Sequence, residues 1–188
     1  MHGLSDPGLL ATESDGSMPK PKPTDPRIIE MPPRKMAVVT TRGDPNVVGQ
    51  TVFPALFGAV YTLKFARKKA NPELDFKVTG LCARWPDLDQ VPKGQWTGIW
   101  ALPIPDDVTE LPQKVPGMEV KIETWDYGTV AQILHIGPYS EEKPTIDRLH
   151  EFIEESGYSI AGQHEEEYLT RPDAKVVKTV IRYVVRPK

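Results

Sequence analysis

Gly162-Gln-His-Glu-Glu-Glu-Tyr-Leu-Thr170 sets three carboxylates side by side in a segment whose aromatic and aliphatic content reads as a strand. Side chains alternate along a strand, so His164, Glu166 and Tyr168 share one face, and Glu165, Glu167 and Leu169 the other. Two readings follow. A solvated edge accommodates the glutamates at little cost, since charge runs usually face water. Alternatively Glu166, flanked by His164 and Tyr168, lies on the floor of a cleft, with Glu165 and Glu167 as an outward, solvated pair.

The surroundings of this stretch show a repeated pattern. Upstream, strands over 119–125 and 129–136 flank a hairpin turn at Asp126-Tyr-Gly128, and Gly137-Pro138 stops the second. Ser140 is placed to N-cap a helix running to about Ser156, whose apolar stripe is Ile146, Leu149, Phe152 and Ile153. Downstream, 176–185 closes the sheet. The first half reads alike: a β-branched strand over 35–41, the turn Arg42-Gly-Asp-Pro45, then a helix over 48–69. Val52, Leu56, Ala59, Val60 and Leu63 fall at helical spacing, with Pro54 acceptable only near the first turn. Strands over 78–85 and 95–102 follow, then a connector with one helical turn at 109–114.

Gly43 and Gly137 end strands in comparable positions before the two helices. The economical reading is an α+β fold, a tandem duplication of a strand–helix–strand–strand module. It forms a mainly antiparallel sheet with two long helices and a central ligand cleft. Residues 1–27, rich in Gly, Ser and Pro, read as a flexible tail. Residues 28–188 read as one domain: repeat one over about 34–103, connector 104–117, repeat two over about 118–186. The strand over 78–85 and the acidic strand then occupy equivalent places beside the cleft.

Among 188 residues the net charge is −3, which argues against direct nucleic-acid binding. The basic cluster Lys64–Lys69 complements a helix C-terminus. The single cysteine, Cys82, excludes an intrachain disulfide framework and reads as a buried strand residue. No run is apolar enough for a membrane span and no signal pattern opens the chain, so the cytoplasm is the expected compartment. His135 and His164 lack metal-ligand spacing, and no phosphate loop is present, so no metal and no cofactor is expected. His135 reads as a structural hydrogen-bonding residue.

Trp96, Gly98 and Trp100 alternate onto one face, where the glycine leaves a gap for a flat ligand or the indoles pack into the core. Tyr61 on the first helix and Tyr139 after the Gly-Pro turn either reach the cleft or pack.

The segments Gly43-Asp-Pro-Asn46, Tyr61-Thr-Leu-Lys-Phe65, His135-Ile-Gly-Pro-Tyr-Ser-Glu141, Pro144-Thr-Ile-Asp-Arg-Leu-His150, Gly162–Leu169 and Lys178-Thr-Val-Ile-Arg182 together resemble the GyrI-like small-molecule-binding family. The likeness is to its stand-alone bacterial subgroup and runs from about Arg27 to the end. It implies the duplicated fold and places Glu166 in a cleft that takes amphipathic, aromatic, often cationic molecules for sequestration or sensing. Trp85, Trp96, Trp100, Tyr61, Tyr139 and Tyr168 are the candidate walls. Some relatives hydrolyse cyclopropanoid natural products; in that alternative Glu166 activates water and Tyr168 assists as a donor. Such relatives carry a Glu-Gly-Leu-Trp type of segment where this chain has Thr79-Gly-Leu-Cys82, so a carboxylate is missing. A third reading, a protein-interaction module acting on DNA gyrase, follows from the family name alone.

Overall fold

The computed structural model describes residues 22–88 and 90–188, so of the tail expected over residues 1–27 all but the last six residues lie outside the described residues. The elements are β1 (Arg27–Met31), β2 (Arg34–Arg42), α1 (Pro45–Ala70), β3 (Leu81–Trp85), β4 (Thr97–Pro103), β5 (Lys121–Trp125), β6 (Gly128–Ile136), α2 (Lys143–Glu155), β7 (Tyr158–Ile160), β8 (His164–Tyr168) and β9 (Lys178–Pro187). The strands make one curled, wholly antiparallel sheet in the order β1-β6-β9-β8-β3-β4-β2-β5, with β7 pairing β9.

That order is symmetric about the β3–β8 seam, as a duplication requires. Repeat one contributes β3-β4-β2 on one side and repeat two β8-β9-β6 on the other. Each leading strand crosses to the opposite half: β1 pairs β6, and β5 pairs β2. These crossed strands curl the sheet. The turns before the two helices match as well, since Gly43 and Gly137 adopt φ of 143° and 145°. A β-carbon is disfavoured there, so both repeats need glycine.

Both helices cover one face. Val52, Leu56, Ala59 and Val60 of α1 pack on Ala37, Val39, Ala83, Trp100 and Leu102. Leu149 and Ile153 of α2 pack on Ala131, Ile133, Ile181 and Tyr183. The other face has its own apolar cluster around Met36, Val38, Cys82, Ala101, Trp125 and Tyr127. Cys82 is fully buried, and that burial raises its thiol pKa far above the ordinary value.

Several expectations need correction. Helix α1 starts at Pro45, where the Asp44 carboxylate accepts from the Asn46 N–H at 2.9 Å, so Pro54 falls in its interior. Pro54 and Gln50 both face solvent, so the Gln50 carbonyl freed by the missing N–H stays hydrated. Ser140 does not cap α2: Tyr139–Glu141 form a 3-10 turn and the helix begins at Lys143. The connector holds no helical turn at 109–114. Pro112 removes a donor, and the Gln113 side chain instead brackets Val120, accepting from its N–H and donating to its carbonyl.

The largest correction concerns Glu165 and Glu167. They do face away from Glu166, but not into water: Glu165 is 3% exposed. Arg84, Glu165, Arg182 and Gln132 lie side by side across β3, β8, β9 and β6. Glu165 accepts from Arg84 Nε at 2.7 Å, Arg182 Nη1 at 2.9 Å and the Tyr127 hydroxyl at 3.0 Å. Arg182 reaches Glu167 through Nη2 at 2.8 Å, and Arg84 stacks 3.7 Å from the Trp125 ring centroid. Removing one partner of such a network strands buried charge. Glu165→Ala should therefore cost about 3–5 kcal/mol, read as a lowered urea midpoint. A loss below about 1 kcal/mol, typical of exposed pairs, would return Glu165 to the surface.

Candidate functional site

Across the helix-covered face, Val39, Trp100, Ala83, Glu166, Ile181 and Ile133 stand in one row through six strands. Glu166 is the one ionisable member of an otherwise apolar row. It sits at the seam between the repeats, and its side chain keeps 12% exposure.

Its two neighbours on the same face hold it in place. His164 Nε2–H donates to Oε1 at 2.9 Å, and the Tyr168 hydroxyl donates to Oε2 at 2.5 Å. Behind them, His164 Nδ1 meets the buried Tyr183 hydroxyl at 2.6 Å. Both Glu166 oxygens are therefore oriented, and the strand alternation that places His164, Glu166 and Tyr168 together supplies the donors. Burial, then the Glu166 charge, raises the Tyr168 phenol well above its ordinary pKa, so it stays a donor.

Tyr139 and Glu142 come from the turn that Gly137-Pro138 sets up. The Tyr139 ring, 40% exposed, meets Tyr168 edge-to-face at 5.4 Å. Glu142 is 6% exposed; among the described residues its Oε1 and Thr179 Oγ1 on β9 are buried without a full hydrogen bond, although Thr179 and Glu166 lie close enough to act on the carboxyl. Burial, then the nearby Glu166 charge, raises the Glu142 carboxyl from 4.5 to about 8. Sequence reasoning placed Glu142 among favourable first-turn acids of α2 and missed it as a buried neighbour of Glu166. His135 is structural as expected, with ring nitrogens 2.9 Å from Thr145 Oγ1 and 3.2 Å from the Pro138 carbonyl.

The indoles behave differently from an open slot. Trp85 and Trp100 are buried at 5% and 3% exposure and pack edge-to-face at 5.0 Å. A β-carbon on Gly98 would come within 2.7 Å of Trp100 Nε1 and 3.2 Å of Trp85. The gap over Gly98 is thus filled by these two rings. Trp96 is half-buried, packs on Trp85 at 5.7 Å and donates to the Val91 carbonyl at 3.1 Å. Tyr61 lies in an aromatic ladder along α1: Phe53 meets Phe57 at 6.5 Å, Phe57 meets Tyr61 at 6.4 Å, and Tyr61 meets Phe65 at 6.0 Å. Phe53 in turn meets Trp100 at 5.3 Å, joining the ladder to the core. Phe53 and Phe57 carried no expectation, although the four-residue spacing of 53, 57, 61 and 65 is visible in the sequence. Thr79 is exposed just ahead of β3, outside the row that holds Glu166.

A concavity of about 410 Å3 opens on the opposite face, lined by Arg84, Tyr127, Gly162, Gln163, Glu165 and Arg182 among others. The Glu165 charge there is spent on Arg84 and Arg182, and Arg182 in turn on Glu165 and Glu167, which marks a structural network.

The raised carboxyl has a signed consequence for stability. The folded value lies above the unfolded one, so the folded chain holds an extra proton between them. The associated stability is complete below about 4.5, drains as pH rises and is gone above about 8. Glu142→Gln cannot ionise, so it should flatten the melting profile over that window and exceed the wild type above it. Parallel melting curves for the two proteins across the window would contradict a protonated Glu142.

The family profile described as GyrI-like small molecule binding domain matches residues 24–184. No curated protein matches the chain. Among solved structures, an uncharacterized conserved protein from Listeria innocua is similar at 27% identity and a TM-score of 0.76, over 87% of this chain and 93% of that one. A protein from Listeria innocua described as a hydrolase matches at 25% identity and a TM-score of 0.74, over 87% and 92%. EcmrR, in a complex with DNA, shares the fold alone at 14% identity and a TM-score of 0.59, over 87% and 58%. Among the described residues no helix is long and apolar enough to cross a membrane. With the profile spanning both repeats, the chain belongs to the GyrI-like small-molecule-binding family.

Proposed function

We propose that this protein binds amphipathic, aromatic, cationic small molecules against Glu166, for sequestration or sensing. The observation that carries the reading is the row across the sheet: one oriented carboxylate in an apolar line at the seam of the repeats. A partly desolvated carboxylate beside aromatic rings attracts delocalised cations through charge and through ring contact. Tyr168 and Tyr139 stand beside it, and Tyr61 with its ladder on α1 supplies further aromatic surface. Trp85, Trp96 and Trp100 back this surface as packed support, with Trp96 the most accessible of them. Family membership is consistent with ligand binding, while the cation preference rests on Glu166.

Rhodamine 6G, followed by fluorescence, tests this. Charge-assisted contacts are worth about 1.5–3 kcal/mol, so Glu166→Gln should weaken binding by roughly ten- to a hundredfold. Unchanged affinity would remove Glu166 from the site.

A second reading has its own observation, a carboxyl of raised pKa beside a carboxylate, together with the likeness to a Listeria innocua protein described as a hydrolase. In ring-opening hydrolysis of a cyclopropane conjugated to a carbonyl, Glu166 takes a proton from water as its oxygen bonds to the ring carbon. The ring C–C bond breaks, and its electron pair moves to the carbonyl oxygen, which takes a proton from Glu142 or Tyr168. The missing acid at Thr79 ranks this second. Incubation with a cyclopropanoid drug should give a product heavier by one water in mass spectrometry; no product above the protein-free control rules the activity out for that class.

A further inference from the structure

Two polar atoms near Glu166 are left without partners by the fold. Glu142 Oε1 and Thr179 Oγ1 are both buried and unpaired among the described residues. Buried polar groups are otherwise almost always satisfied, and an orphan carboxyl oxygen is costly. Thr179 and Glu166 lie close enough to act on the Glu142 carboxyl, but neither contact is a full hydrogen bond, and neither orphan atom serves the helix or the ladder. The Glu142 side chain makes no capping bond to α2 despite its N-cap position, and Thr179 faces Tyr168 across the β8–β9 ladder.

Among the described residues, the groups that act on the Glu142 carboxyl include no cation. Glu166 and Tyr168 come from β8, Tyr139 from the preceding turn and Thr179 from β9. His135, opposite Thr179 on β6, spends its two ring nitrogens on Thr145 and Pro138. His164 is bound to the far carboxyl, Glu166, and to Tyr183. Burial and the neighbouring Glu166 charge, with no counter-charge beside them, favour the protonated form of Glu142.

We propose that Glu142 is a second acidic contact of the cleft, and that the ligand head is a nitrogen cation with at least two N–H donors, such as an amidine, guanidine or protonated amine. It bridges Glu142 and Glu166 and replaces the proton that buried Glu142 otherwise holds. This rests on the cation reading of the cleft and narrows it. A quaternary ammonium or phosphonium supplies charge but leaves the Glu142 oxygen unpaired, whereas an N–H donor satisfies it. The exchange balances: one cation enters, one proton leaves to the buffer, and the net charge of the site is unchanged. Burial of Glu142 keeps that proton in place at neutral pH in the empty site.

Calorimetric titration of the full chain at pH 7 in phosphate and in Tris, buffers of different ionisation enthalpy, reads proton release directly. The probes are pentamidine, a bis-amidine, and tetraphenylphosphonium, an aromatic cation with no N–H. Pentamidine should bind with release of about one proton and at least about tenfold more tightly than tetraphenylphosphonium, a margin of one charge-assisted hydrogen bond. Glu142→Gln, which preserves shape, should abolish the release and most of the preference while Glu166 still binds both probes. Equal proton release in wild type and Glu142→Gln, or binding of pentamidine to wild type with no release, overturns the assignment and leaves the cation reading standing. Carbon-13 carboxyl NMR of the free protein separates the remaining case. A carboxyl that titrates near pH 8 and vanishes in Glu142→Gln, with neither probe binding, defeats the cation reading and with it this ligand class.

Discussion

Alternation along β8 decides what every charged group near the seam can do. Three consecutive glutamates divide between two environments because successive side chains point to opposite faces. Glu165 and Glu167 enter a buried network with Arg84 and Arg182, while Glu166 enters the row between the helices. A slip of one residue would exchange these roles and strand the guanidinium of Arg182, which is itself buried. Such a slip breaks pairs whose partners stay buried, so its cost far exceeds what the intact pairs contribute. The ion network therefore holds the register, and the register holds Glu166 at the seam.

The two halves share topology but present different side chains on the helix-covered face. Repeat one fills its helix-covered face with Trp85 and Trp100, packed edge-to-face and almost closed to solvent, with the more exposed Phe53 ring edge-on to Trp100. Repeat two presents His164, Glu166 and Tyr168 on β8, with Tyr139 and Glu142 from the turn before α2. Ala83, the cross-strand partner of Glu166, is where the apolar half meets the acidic one. Under the proposed function, the apolar half would meet the flat hydrocarbon body of a ligand and the acidic half its positive end.

Much of this was legible from local pattern. The period of two over 164–168 groups His164, Glu166 and Tyr168, and the structure joins them by hydrogen bonds. The matched Gly43 and Gly137 turns reveal the duplication. The burial of Glu165 was not legible from the acidic run, because its partners lie on other strands, at residues 84 and 182. A signal existed there: each arginine interrupts an apolar strand, in Leu81-Cys-Ala-Arg-Trp85 and Val180-Ile-Arg-Tyr183. A lone charge in such a run asks for a buried partner. Glu142 had no comparable signal. It adjoins Glu141 at the start of a helix, where either acid suits the dipole, and only the 3-10 turn decides which one points inward.

The state of Glu142 separates holding a ligand from acting on one. As an anchor for a nitrogen cation it must give up its proton, because the attraction comes from the second negative charge. As a general acid it must keep that proton until a substrate oxygen gains charge. Burial and the neighbouring Glu166 favour the protonated form at neutral pH, which serves the acid directly and costs the anchor a proton transfer. The unpaired Oε1 weighs the other way, because an acid poised for one transient step gains nothing from lacking a hydrogen bond at rest. A pocket that binds N–H donors gains from it, since the penalty carried by the empty site is relieved on binding and adds to affinity. Under the proposed function, the Glu142 oxygen left without a full hydrogen bond therefore favours holding a ligand over acting on one.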